Sequence, residues 1–163
     1  MGCTSSPLKS SEETAKLFPD GLYQQAIEIH FVLDKVEKSF SFSGVLKKNK
    51  DQYVIYSYNG FGLNLFKLQD NGTAPVVFET SIAEIEKNKD FFLKIYPSIK
   101  KILKLDKKDF QSQLPELGRL INGQILLHFD KDSEIPRRIE IQGENKYHVV
   151  IKNLQFKSET DHR

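Results

Sequence analysis

The sequence of 163 residues has one cysteine, Cys3, so no internal disulfide framework can hold the fold together. That scarcity leaves the compartment open, because a lipidated thiol is consumed as a thioether or thioester. An excess of either charge is also missing. Twenty-four Lys and Arg face 22 Asp and Glu, and the net charge of +2 is too small to argue for nucleic acid, so any basic effect must be local. Long apolar runs are absent: none approaches the roughly 18 residues that cross a bilayer, and no cleavable apolar signal segment is present. G-x-S-x-G, H-E-x-x-H and a phosphate-cradling glycine loop are all lacking, which removes the usual signatures of a hydrolase elbow, a zinc peptidase and a P-loop. No period of about 20–50 residues suggests a repeat array. The expectation is a protein that is not an enzyme, takes no cofactor or metal, and folds as one domain with its own core.

What is present begins at Met1-Gly2-Cys3-Thr4-Ser5-Ser6. Two chemistries fit. In one, Gly2 precedes the cleavage point of a bacterial lipoprotein signal and Cys3 is the lipidated first residue, Met1 being an added start. In the other, Met1 is removed, Gly2 is myristoylated and Cys3 palmitoylated, as the match to M-G-x-x-x-[ST] through Ser6 allows. Either supplies the two or more acyl chains that stable anchoring needs. Residues 1–20, polar and carrying Pro7 and Pro19, read as anchor and flexible tether, residues 21–157 as one domain, and 158–163 as a disordered tail.

The domain opens in strand periodicity. Over residues 22–33, Ile27, Ile29, Phe31 and Leu33 share one face and Glu28 and His30 the other. Phe40 and Phe42 alternate with serines, and Gly44 continues their face before Leu46, as where a backbone approaches closely. Lys47-Lys48-Asn49-Lys50-Asp51 reads as a solvated turn, and residues 53–58 as a third strand. Asn59-Gly60-Phe61-Gly62 is a turn before a strand carrying Leu63, Leu65, Phe66 and Leu68, and Asp70-Asn71-Gly72 ends it. A short strand follows at 75–80. From about 88 to 105 the period becomes helical, with Phe92, Ile95, Tyr96, Ile99, Ile102 and Leu103 at three- and four-residue steps. Pro97 there either kinks one helix or opens the first turn of a second. After a link at Leu114-Pro115, four strands are predicted at 119–122, 124–129, 137–142 and 147–156, with turns at Asn122-Gly123, Asp130 to Pro136 and Gly143-Glu144-Asn145.

The fold class expected is β-rich α+β: a single, strongly curved antiparallel sheet, an incomplete barrel, with amphipathic helices covering its concave face. The candidate apolar cavity is then walled by Ile27, Ile29, Phe31, Phe40 and Phe42 from the first strands and by Leu63 and Leu65 from the fourth. Phe92, Ile95, Tyr96 and Ile99 face them from the helix. An ordinary packed core without a vacancy is the competing expectation, since close packing is the rule. His30, His128 and His148 are expected on the polar sheet face and His162 in the tail. Lys100, Lys101, Lys104, Lys107 and Lys108 form either the wet side of a packed helix or a rest for anionic headgroups. Phe61, between two glycines, is an exposed apolar tip or folds back on the core. Asn71-Gly72-Thr73 is taken as a turn despite its match to a glycosylation acceptor.

The order of these features resembles a family. The anchor cysteine with its Ser-rich tether, the β-rich first half, Phe91-Phe92-Leu93-Lys94-Ile95-Tyr96-Pro97 running into Ile99, Ile102 and Leu103, and the final Ile151-Lys152-Asn153-Leu154 look like an uncharacterised family of bacterial lipoproteins. That family is similar in turn to the outer-membrane lipoprotein receptor LolB and its periplasmic carrier LolA. The resemblance spans most of residues 20–157, and its most specific element is the pair Tyr96-Pro97. It implies a half barrel with an apolar concavity for acyl chains, at the periplasmic face of a bacterial outer membrane, and Thr4 in place of Asp after the cysteine agrees with export from the inner membrane. The function it implies is a lipid-anchored binding protein that holds acyl chains or a lipidated cargo and assists lipid or lipoprotein transport, with no nucleic acid among its partners. The alternative is a non-enzymatic adaptor lipoprotein that docks a membrane protein complex.

Overall fold

The computed structural model describes residues 15–107, 119–121, 125–143 and 147–159, those at 119–121 by their backbone alone. Cys3 and the tether as far as residue 14, Lys108, Leu114-Pro115, Asn122-Gly123, Glu144-Asn145 and His162 lie outside the described residues. The chain runs through β1 (Gly21–Leu33), β2 (Val36–Asn49), β3 (Gln52–Tyr58), β4 (Asn64–Asp70) and β5 (Val77–Glu79). It continues through α1 (Ala83–Lys87) and α2 (Lys89–Leu103), then β6 (Arg119–Ile121), β7 (Ile125–His128), β8 (Arg138–Gly143) and β9 (Tyr147–Ser158). The nine strands make one antiparallel sheet in the order β5-β4-β3-β2-β1-β9-β8-β7-β6. The two β blocks meet in the middle, because β1 pairs with β2 on one side and with β9 on the other. The edge strands β5 and β6 do not pair with each other, so the sheet is not closed into a barrel.

Period-two patterning places the core. Tyr23, Ile27, Ile29 and Phe31 of β1 are buried on one face, while Gln24 and His30 are exposed on the other. Gly44 continues the inward face of β2, where an added Cβ would stand 3.3 Å from Ile27 Cδ1. Helix α2 lies on this inward face. Phe91 stacks on Phe31 with ring centroids 3.9 Å apart, and Phe92 sits among Phe40, Phe66 and Phe78 at 5.6, 5.2 and 5.7 Å. Further along the helix Ile95, Tyr96, Ile102 and Leu103 are buried, as their helical spacing requires. Pro97 does not divide the helix. The break falls earlier, at Asn88 between α1 and α2, where the Asn88 side-chain amide donates to the Glu84 carbonyl at 2.7 Å.

Three expectations need correction. The folded body begins before residue 21: Leu17 and Phe18 are buried, the Leu17 amide donates to the Leu105 carbonyl, and the Lys107 amide donates to the Ala15 carbonyl, each at 2.9 Å. Two apolar residues in a polar leader suffice to dock its end against Tyr23 and the segment that follows α2. The solvated turn predicted from Lys47 is also shorter than expected. Strand β2 continues through Asn49, and Lys48 is buried on the inward face with its ammonium on the Asp20 carboxylate. The fourth strand starts at Asn64 and buries Phe66, Leu68 and Asp70, which leaves Leu63 exposed and Leu65 on the opposite, partly buried side. A register shift between Ser57 and Tyr58 accompanies this change of face.

Candidate functional site

The candidate site is the seam between α2 and the inward face of the sheet. Ile27, Ile29, Phe42, Phe92, Ile95, Tyr96 and Ile99 come together there, joined by Ile55, Phe66, Leu68 and Val149. Phe31 and Phe40 extend the same wall towards the N-terminal end of the helix through Phe91 and Phe92. Leu63 does not belong to it, being 62% exposed, and Leu65 packs from the other side of β4. The seam holds a void of about 40 Å³ and, deeper towards Leu103 and Ile139, another of about 20 Å³. Ligand pockets usually enclose several hundred Å³, so the expected open trough is occupied by the helix in this conformation.

One charged cluster closes the seam at the C-terminal half of α2. Asp70, 1% exposed, ends the buried row of β4. Its carboxylate accepts the Tyr96 hydroxyl at 2.7 Å and the Gly72 amide at 2.8 Å, and it pairs with the Lys100 ammonium at 2.7 Å. Burial alone would raise the Asp70 pKa, but the bonds from Lys100, Tyr96 and Gly72 outweigh it and hold the carboxyl below its ordinary value. The Tyr96 hydroxyl is pushed well above its usual range by burial and by the carboxylate it donates to. Tyr96 and Lys100, one helical turn apart, therefore grip one strand residue and fasten the helix to β4. The turn reading of Asp70 hid this role. The signal was the alternation Phe66, Leu68, Asp70, which places the carboxylate inside once Phe66 is chosen as the inward residue.

At the opposite end of the sheet the β3–β4 connection presents Phe61, 94% exposed, beside Leu63. The loop is held in shape by Asn59. Its side-chain oxygen accepts the amides of Phe61 and Leu63, both at 3.0 Å, and its backbone pairs with Gly62 and Leu63. Gly62 takes φ 80°, a conformation that favours glycine. The tip does not fold back on the core; it is displayed. Phe61→Ser should leave the unfolding free energy within about 0.5 kcal/mol, as for an exposed side chain, whereas Asn59→Ala should lower it by about 1 kcal/mol. Urea denaturation of both variants checks the pair, and a large loss from Phe61→Ser would contradict the displayed tip.

The three described histidines lie on the outer face, as expected, and two of them converge on one group. Glu140 of β8 receives His128 at 3.2 Å and Arg138 at 2.9 Å on one oxygen and His148 at 3.3 Å on the other. Burial would raise the Glu140 pKa, but His148, Arg138 and His128 together lower it. His30 stacks beside His148 at 6.4 Å. Of the described candidate lysines, Lys100, Lys104 and Lys107 are ion-paired, with Asp70, Asp51 and Glu134, and only Lys101 has no ion pair among the described residues. No described helix is long and apolar enough to cross a membrane. The chain matches no family model and no curated protein.

Proposed function

We propose that this protein is a lipid-anchored binding protein at the periplasmic face of a bacterial outer membrane. In this reading it is a LolA/LolB-like half barrel that holds acyl chains or a lipidated cargo and performs no covalent chemistry. The observation that carries the reading is the seam: a wall of aromatic and aliphatic side chains on both sides, voids strung along it, and a charged fastening at one end. An acyl chain enters by replacing contacts of α2, and each methylene it buries stabilises the complex by roughly 0.8 kcal/mol whatever the headgroup. The displayed Phe61–Leu63 tip offers apolar contact to a bilayer or to the cargo. Delipidated full-length protein should bind a fluorescent long-chain fatty acid saturably at one site, and a protein that leaves gentle purification empty and fails to bind would contradict the carrier.

A second reading, a structural adaptor lipoprotein with a packed core, is favoured by one observation: α2 fills the seam down to voids of about 40 and 20 Å³. The same titration separates the two, because an adaptor binds no fatty acid.

A further inference from the structure

We propose that the outer face of the sheet, at the end where β1 begins, is a docking surface for an anionic bilayer. Strand register builds it. Leu22 lies between Lys47 of β2 and Lys157 of β9, and Lys47 in turn lies beside Val54 of β3. One row further along, Tyr56 pairs with Lys67 of β4, whose ammonium stands 5.7 Å from the Tyr56 ring centroid. Leu22, Tyr56, Lys47 and Lys157 are exposed, and among the described residues no element covers them.

The distribution of partners distinguishes this face from the rest of the lysines. Alternation along β2 turns Lys48 inward, where Asp20 neutralises it, and turns Lys47 outward, where no described carboxylate reaches it. Lys157 and Lys67 likewise have no ion-pair partner among the described residues. The lysines on or just after α2 that were candidates for headgroup contact are, apart from Lys101 among those described, already paired. The nearest carboxylate in these two rows is Glu79 on edge strand β5, opposite Lys67. Cations spaced around a leucine and a tyrosine suit a surface of anionic headgroups over acyl chains: ammonium groups meet phosphates while Leu22 and Tyr56 enter the interface. The proposal shares the membrane setting of the function proposed above and is independent of its acyl cargo.

The test uses full-length Cys3→Ser protein, which carries no thiol for a lipid, and co-sedimentation with two kinds of vesicle. Phosphatidylcholine vesicles containing about one third phosphatidylglycerol should bind it in a salt-sensitive way, and pure phosphatidylcholine should not. The triple variant K47Q/K67Q/K157Q should lose roughly 100-fold in partitioning while keeping its circular dichroism, and K87Q/K94Q/K131Q should bind like the parent. Equal partitioning to both vesicles, none to either, or an unaffected K47Q/K67Q/K157Q variant would overturn the surface. So would binding to heparin without binding to vesicles, which assigns the face to polyanionic macromolecules. A protein that binds fatty acid but ignores anionic vesicles loses this surface alone, and the converse result removes only the carrier.

Discussion

Asp70→Asn should lower the unfolding free energy by about 3 kcal/mol, a fall in Tm of roughly 10 °C for a domain of this size. The carboxylate is buried against Tyr96, Lys100 and the Gly72 amide, and an amide in its place leaves the Lys100 ammonium without its counter-charge. The loss lies towards the lower end of the range for breaking a buried pair because Lys100 is partly exposed and its head can turn to water. Asp70→Asn combined with Lys100→Met should recover part of the loss, since the orphaned charge is then gone. Acid dependence gives a second readout. A carboxyl held below its unfolded value contributes stability that is complete above about pH 4 and disappears as pH falls through the folded value, so Asp70→Asn should flatten the acid limb of stability. Among the described residues Asp20, lowered by Lys48 against the opposing effect of burial, and Glu134 and Glu140, also lowered, contribute to the same limb.

Phe92→Ala should cost about 3–5 kcal/mol, the largest loss expected from a single truncation in the seam. Phe92 meets rings from β2, β4, β5 and its own helix, and no backbone movement closes on all of them together. The void beside it should grow by an amount on the order of 100 Å³ and stay dry, as apolar cavities do. A small apolar ligand should then restore stability to the variant by about 2.7 kcal/mol at a hundredfold excess over its Kd, and leave the parent protein unchanged. Calorimetry with and without a benzene-sized or short-chain ligand checks both halves. A variant that loses less than 1 kcal/mol would show that the helix repacks freely over the sheet.

The element order was legible because the two periods are clean. Ile27, Ile29 and Phe31 alternate with polar residues and are buried, and the three- and four-residue steps from Phe92 to Leu103 do become one helical stripe facing them. Where both parities of a strand are apolar the reading failed. Leu63 and Leu65 look as fit for a core as Phe66 and Leu68, and the shift in pairing at Ser57/Tyr58 accompanies the choice of the even positions. That same choice carries Asp70 inside, so the charged fastening was lost along with the register. Lys48 was misplaced for a different reason: its counter-ion Asp20 lies 28 residues away, and a run of lysines before an aspartate looks like a wet turn. The volume left between helix and sheet depends on how rings from β1, β2, β4, β5, β9 and α2 interlock, which no local period encodes.

The most direct test of the carrier is a methyl NMR titration of the delipidated protein with a long-chain fatty acid. Saturable shifts concentrated on the δ1 methyls of Ile27, Ile55, Ile95 and Ile99, with the exposed Leu154 unmoved, are the result predicted for an acyl chain entering beneath α2. A titration that leaves those four methyls where they were would contradict it.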